Sequence, residues 1–187
     1  MPRTARAPAA SRRFRSVGIG QWYEAAMVRP ARADDAEAIA AIFNQGVEDR
    51  VATFETNLAS LGDAARWIES DLVLVAERDE GIVGWAKASP YADNHHYYDG
   101  VREATMYIER ASRRTGVGRR LLAALAETAE GAGAHKLVGK IFISNEASIV
   151  MVGGLGWREV GVHQRHGSLD GEWKDVLVVE KLLRPGE

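Results

Sequence analysis

From residue 72 to residue 109 the apolar positions of this chain fall in short strand-length runs: "LVLVAER", "IVGWAKAS" and "EATMYIE". The first two flank "DEG" and predict a β-hairpin; the third predicts a further strand. Residues 27 to 30 predict a short opening strand. From Asp34 the period lengthens. Ile39, Ile42 and Phe43 share one helical face, and "DDAE" sets Glu37 three residues after Asp34 as a capping box. "VATFET" predicts an irregular connection, and Ser60 with Asp63 caps a second helix through Trp67 and Ile68. A third helix runs from Val117 to about Glu130, with Leu121, Leu122, Leu125 and Ala129 on one side. "KLVGKIFI" predicts a strand and "EASIVMVGGL" a helix weakened by its two glycines. "WREVGVHQRHG" and "EWKDVLVVEKLL" predict a closing hairpin. An antiparallel meander followed by βαβ-like crossovers makes the class mixed α/β, in a single domain.

Composition narrows the picture. A chain of 187 residues, 46% apolar, supports one sizeable core. A formal charge of −2 offers no global field for nucleic acid or an anionic membrane. Absence of cysteine excludes a disulfide scaffold, a thiolate nucleophile and cysteine-based metal sites, and fits a reducing cytoplasm. No apolar run approaches the ~20 residues of a membrane span. Residues 1 to 26 differ from the rest: five arginines against one acid, no sustained period, and no apolar centre of a secretory signal. They read as a basic, disordered arm ahead of a domain spanning 27 to 187.

The candidate chemistry begins at "RRTGVGRR", residues 113 to 120, between a predicted strand and a predicted helix. Backbone N–H groups at such a turn cradle an anion, helped by the helix dipole. Gly116 and Gly118 let the backbone approach a bulky diphosphate. A Walker P-loop needs a G-K-[ST] ending that is absent, and a dinucleotide fold needs a third glycine where Leu121 stands.

What remains is R-x-x-G-x-G, from Arg113 to Gly118, followed at the next strand–helix junction by "NEASIVMVGGLGW", residues 145 to 157. These two segments resemble the GNAT superfamily of acyl-CoA N-acyltransferases. The resemblance implies a GNAT fold: a mixed, mostly antiparallel central sheet flanked by helices. It implies that Arg113, Arg114, Thr115, Gly116, Val117, Gly118 and Arg119 wrap the pyrophosphate of acetyl-CoA. Asn145 and Ser148 would contact its pantetheine arm, and the Ile108 N–H would polarise the thioester carbonyl. "ATFET", "GWAKASPY", "YDGVREATMYIE" and "GEWKDVLVVEKLL" further resemble the phosphinothricin N-acetyltransferase branch, and "REVGVHQRHGSLDGEWKDV" its arsinothricin-resistance members. That branch acetylates the α-amino group of glutamate analogues; related members take methionine sulfone, sulfoximine or other amino acids. Homodimers are common there, so a homodimer is implied by analogy.

An amine attacks a thioester only as the neutral base, so the site needs a proton acceptor. Glu103 opens the strand that leads to the cofactor turn and falls on the family's catalytic glutamate. Phe54 and Tyr98 match family pocket positions. Two departures stand out. Seven residues after the asparagine, where relatives carry Tyr or His, this chain has Val152. Ahead of Tyr98, where phosphinothricin enzymes carry Lys and Arg, it has "DNHHYY", so recognition of a substrate acid would fall to Arg50, Lys87, His95 or His96. The histidines invite a metal reading, at His95-His96 and at His163-x-x-His166. On a strand, neighbours and residues three apart face opposite sides, so neither pair makes a ready chelate and no metal is expected. Trp67, Trp85 and Trp157 read as core or pocket wall. Acetylation of peptide N-termini or polyamines, and a CoA-binding sensor without turnover, are the competing readings.

Overall fold

The computed structural model describes residues 26–91 and 95–183. Eleven principal elements follow one another in those residues: β1 (Met27–Pro30), α1 (Ala36–Asp49), α2 (Leu61–Ser70), β2 (Leu72–Arg78), β3 (Gly81–Pro90), β4 (Val101–Ile108), α3 (Val117–Gly131), β5 (Lys136–Phe142), α4 (Glu146–Gly153), β6 (Arg158–Leu169) and β7 (Glu172–Leu182). The predicted mixed α/β order is present. Residues 1–25 of the basic arm lie outside the described residues. Ala26, the last position assigned to it, is buried in the core, and its carbonyl accepts from Arg120 at 3.2 Å.

The strands form one sheet in the order β1-β2-β3-β4-β5-β7-β6. Alternation along each strand sends side chains to two faces, and each face has its own core. Ala86, Ala88, Leu137 and Val179 meet Leu121, Leu125 and Ala129 of α3 on one side. Val73, Val75, Trp85 and Tyr107 meet Ile39, Phe43 and Val47 of α1 on the other. Leu121 and Leu125 are fully buried, and each such side chain contributes about 1.5–3 kcal/mol. Trp67, Trp85 and Tyr107 stack in sequence, with ring centroids 5.5 and 5.3 Å apart.

The caps follow the sequence at one helix and depart from it at another. Ser60 and Asp63 form the expected box at α2: Asp63 accepts from the Ser60 N–H at 2.8 Å, and Ser60 Oγ accepts from the Asp63 N–H at 3.2 Å. Ahead of α1 the cap is Asp35, closing the 3-10 turn Ala33–Asp35 that leads into the helix, and not Asp34 with Glu37. Its carboxylate accepts from the Arg32 N–H at 2.7 Å and is gripped by both terminal nitrogens of Arg29, at 2.7 and 3.0 Å. A strand residue at position 29 decides which aspartate turns inward, and a helical pattern cannot see it.

Every neighbouring pair in the sheet is antiparallel except β4 and β5. Those two run parallel, joined by α3, and share only the pairs Val101↔Lys136, Arg102↔Leu137 and Glu103↔Val138. Past Glu103 they part, while β4 continues to Ile108 and β5 to Phe142. The sheet is open there as a wedge.

Candidate active site

A cavity of about 480 Å³ occupies the wedge. Its walls come from both faces of the sheet. Glu103, Thr105 and Tyr107 belong to the α1 face of β4; Ala104 and Met106 belong to the α3 face, together with Leu122, Met151, Val152 and Trp157. A cavity lined this way crosses the sheet, so two reactants can approach each other from opposite sides.

Glu103 stands at the closed end, on the last residue pair that β4 and β5 share. Its Oε2 accepts from Lys140 Nζ at 2.9 Å, and both side chains are partly open to solvent. Backbone donors lie along the same strand. The Glu109 N–H donates to the Val83 carbonyl at 3.0 Å, which fixes the hydrogen-bonding phase between β3 and β4. Ile108 is then in a position not bonded to β3, and its N–H faces the open side of the wedge. Its carbonyl accepts from Arg113 Nε at 3.1 Å.

The glycine turn lies at the far end of β4. Gly116 has φ 87° and caps α3, whose first-turn N–H groups have no intrahelical partner. A Cβ on Gly118 would come within 3.1 Å of both Met106 Cε and Met151 Sδ, two residues of the cavity wall. The four arginines divide unequally. Arg113 pairs with Asp49 at 2.6 Å, Arg119 donates to the Gly154 carbonyl at 2.9 Å, and Arg120 holds Ala26. Arg78 is also drawn in, donating to Thr115 Oγ1 at 2.9 Å. Arg114, at φ 64°, is the one of the four without an ion pair or hydrogen bond among the described residues. Burial pushes the Asp49 carboxyl up, but Arg113 and Arg110 outweigh this and hold it below the ordinary carboxylate value. Glycine spacing and a helix start, with Gly118 set against Met106 and Met151 of the cavity wall, fit the diphosphate and arm of acetyl-CoA.

Asn145 and Ser148 both line the cavity, and the Asn145 side chain already has local work. Asn145 Oδ1 accepts from the Ser148 N–H at 3.2 Å as the cap of α4, and its Nδ2 donates to the Val51 carbonyl at 3.3 Å. Val152 is buried in the wall and offers no proton. Tyr107 keeps its own: burial pushes its phenol up to about 12, against a hydrogen bond with Thr53 that lowers it.

On the acceptor side Phe54 lines the cavity and packs edge-on against Phe142, with centroids 4.7 Å apart. The other expected acceptor residues lie elsewhere. Lys87 projects from the α1 face one strand away, where its Nζ binds Asp71 at 2.7 Å and sits over the Trp67 ring. Arg50 ends α1, bound to Asp170 at 3.1 Å and to the Glu55 carbonyl. Tyr98 packs between Tyr91 and Tyr97 beside a separate shallow depression. His95 stacks on Tyr97, and Asp93 lies outside the described residues. The charged or protonatable side chains that do line the cavity, besides Glu103 and Tyr107, are Glu55, Lys140 and His166. Lys140 was not singled out from the sequence, and His166 was weighed there only as half of a metal pair with His163, not as an acceptor-site residue.

One geometric expectation is overturned. His163 and His166 do not face opposite sides: their Nδ1 atoms are 3.2 Å apart. β6 departs from regular pairing between His163↔Val176 and Gly167↔Lys174, where four residue steps face two. Arg165 takes φ 49°, and its N–H donates to Asp175 Oδ1 at 2.7 Å. This bulge folds His166 back beside His163. Among the described residues no group of three or more His, Cys, Asp or Glu is arranged to hold a metal ion, and no helix is long and apolar enough to cross a membrane.

A family model for the acetyltransferase (GNAT) domain matches residues 28–178. A phosphinothricin N-acetyltransferase of Alcaligenes faecalis is 30% identical, covering 100% of this chain and 98% of its own. Two solved structures are similar as well. A ribosomal-protein-alanine N-acetyltransferase from Brucella melitensis has TM-score 0.80 and 32% identity, over 83% of this chain and 99% of its own. A phosphinothricin acetyltransferase from Sinorhizobium meliloti, in complex with acetyl-CoA, has TM-score 0.81 and 27% identity, over 87% and 90%. With the open wedge and the glycine turn at its end, these matches define an acyl-transferring enzyme. The chain belongs to the GNAT acetyltransferase family, and it is an acetyl-CoA-dependent N-acetyltransferase.

Proposed function

We propose that this enzyme acetylates the α-amino group of a small amino acid or glutamate analogue of the phosphinothricin and arsinothricin kind, with Glu103 as general base. The observation that carries the reading is the position of Glu103 at the closed end of the wedge, facing the α1 side, beside Lys140. Acetyl-CoA supplies the acetyl thioester from the α3 side. Glu103 takes a proton from the acceptor's ammonium, directly or through water, and leaves the neutral amine to attack. The Ile108 N–H donates to the carbonyl oxygen as negative charge grows there. Lys140 receives the α-carboxylate that accompanies the amine. The attack is direct, since no cysteine exists to carry an acyl group. The amine nitrogen bonds to the thioester carbon, the C–S bond breaks, and CoA leaves as a thiolate that takes up the nitrogen's second proton by way of solvent. The turn from Arg113 to Arg119 holds the diphosphate, with Asn145 and Ser148 along the arm, and Phe54 walls the acceptor side. A cytoplasmic homodimer completes the proposal, by analogy with the family.

The structural likeness to a ribosomal-protein-alanine acetyltransferase favours one rival, acetylation of a peptide N-terminus. Thiol release from acetyl-CoA decides between them. Phosphinothricin, arsinothricin and methionine sulfone should release thiol, and alanine-initiated peptides should not. Turnover of the peptides alone would reverse the assignment.

A further inference from the structure

The residues expected to bind a substrate acid are taken up elsewhere: Lys87 by Asp71, Arg50 by Asp170. Two nitrogen-bearing cations or potential cations line the cavity instead, Lys140 and His166. Lys140 is bound to Glu103 at the closed end. His166 lies at the other end, next to Gly167, whose Cα packs so close to Phe54 that a Cβ there would stand 2.8 Å from the ring. We propose that His166, held by His163, receives a side-chain acid of the amino-acid substrate. This rests on the amino-acid reading above and deepens it by naming the group that selects among amino acids.

Three observations carry the assignment. The first is hydrogen-bond chemistry. Two imidazoles can approach to 3.2 Å at Nδ1 only if one ring carries a hydrogen on that atom and the other does not. With His163 as donor, neutral His166 must carry its hydrogen on Nε2. With one extra proton shared by the pair, both Nε2 atoms carry hydrogen. In both of these states His166 keeps Nε2–H as the donor for a ligand. The reverse tautomer, with His166 donating from Nδ1, leaves Nε2 bare, and an anion at Nε2 selects against it.

The second observation is how the pair is built. The bulge that creates it depends on Asp175, ten residues away on the neighbouring strand, accepting the Arg165 N–H. A regular strand would turn His163 and His166 to opposite sides. The bulge puts His166 in the wall of the cavity that holds Glu103, with His163 against it, and Phe54 and Phe142 line the same cavity.

Distance supplies the third. Glu103 is level with Val138 of β5, whereas His163 is level with Val176, which pairs with Phe142. Four residues of β5 separate the two backbone levels, about 13 Å along the strand. The Glu103 and imidazole side chains, with a water on Glu103, must shorten that gap to the length of a glutamate analogue. An α-carboxylate shares its carbon with the amine and stays at the Lys140 end. A group on the side chain is the one that extends toward His166.

The test compares phosphinothricin, whose side chain ends in a phosphinate anion, with methionine sulfone, which has the same head and an uncharged side chain. In His166→Ala the ratio of kcat/KM for phosphinothricin over methionine sulfone should fall about tenfold to a hundredfold, the loss of one hydrogen bond to a charged group. The fall should lie in the KM for phosphinothricin. His163→Ala should move the ratio the same way by less. Both side chains are exposed, so matched melting curves separate these effects from unfolding. A ratio within about twofold of wild type in folded His166→Ala overturns the assignment, since one lost charge-assisted bond is worth more than that. Wild-type enzyme that acetylates neither compound overturns the amino-acid reading itself, and this assignment with it.

Discussion

Lys140 Nζ lies 2.9 Å from Glu103 Oε2, across the gap where β4 and β5 cease to pair. An amino acid arriving with both charges matches this pair in reverse, its ammonium at the carboxylate and its carboxylate at the ammonium. Glu103→Gln keeps the shape and removes the proton acceptor, so kcat should fall roughly 10²–10⁴-fold near neutral pH. Raising the pH should restore part of it, because solvent then deprotonates the amine. Acetyl-CoA affinity should hold, since the turn at 113–119 is at the other end of β4. Lys140→Ala should instead raise KM for the amino acid more than it lowers kcat. Steady-state profiles from pH 6 to 10 check both; a Glu103→Gln enzyme within a few-fold of wild-type kcat at neutral pH would sink the general base.

The arginines of the cofactor turn should separate under titration with CoA. Arg114 has no protein partner among the described residues, so its charge is available to a diphosphate. Arg114→Ala should weaken CoA about threefold to tenfold, with the loss shrinking in high salt. Arg119→Ala should weaken CoA less, because its guanidinium is already on the Gly154 carbonyl. Calorimetry at two ionic strengths gives the ordering; equal losses at both positions would mean that Arg119 leaves Gly154 to meet the cofactor.

The order of strands and helices was legible because it is written locally. The hairpin around "DEG", the Ser60–Asp63 cap and the buried stripe Leu121, Leu122, Leu125 and Ala129 all depend on residues within a few positions of each other. The glycine turn was legible for the same reason. Partnerships across the fold were not. Nothing near "RRTGVGRR" says that Asp49 takes Arg113, or that Arg119 reaches a carbonyl on α4. The His163–His166 contact is the clearest case: strand periodicity separates the two, and Asp175 on another strand reverses that result by holding Arg165 in a bulge. Lys140 was hidden in an ordinary strand pattern, "KLVGKIFI", and gains its place only because β4 and β5 diverge beside it.

Acid should act through Asp35. Its hydrogen bonds with Arg29 hold the carboxyl below the ordinary 3.8, against burial, which raises it. A folded-state value below the unfolded one means that the stabilisation is present above about pH 4 and fades as pH falls through the folded value. Asp35→Asn should therefore cost about 1.5–3 kcal/mol at pH 7, the range for hydrogen bonds to a charged partner. The gap from wild type should narrow as pH falls below about 4 and close once pH has passed the folded-state value, where the native aspartate is protonated as well. Melting curves from pH 3 to 8 test this, and a gap independent of pH would remove the ion pair as its cause.

The glycines of α3 should have different effects, because their surroundings differ. Gly118 is in an ordinary helical conformation, but a side chain there meets Met106 and Met151 in the wall of the wedge. Gly118→Val should weaken acetyl-CoA by more than about tenfold while the melting temperature changes little, since both thioethers are flexible and move into the slot rather than into the core. Gly116 has open space around it and φ 87°, so Gly116→Val carries backbone strain of about 1–3 kcal/mol and should lower stability and affinity together. Gly131, at the other end of the helix, has neither restriction. Gly131→Ala should leave affinity alone and raise stability by up to about 1 kcal/mol. Calorimetry and thermal melts on the three variants give three distinct signatures. Unchanged acetyl-CoA affinity in a folded Gly118→Val enzyme would mean that the cofactor does not pass between Met106 and Met151, and the turn at 113–119 would lose its assignment.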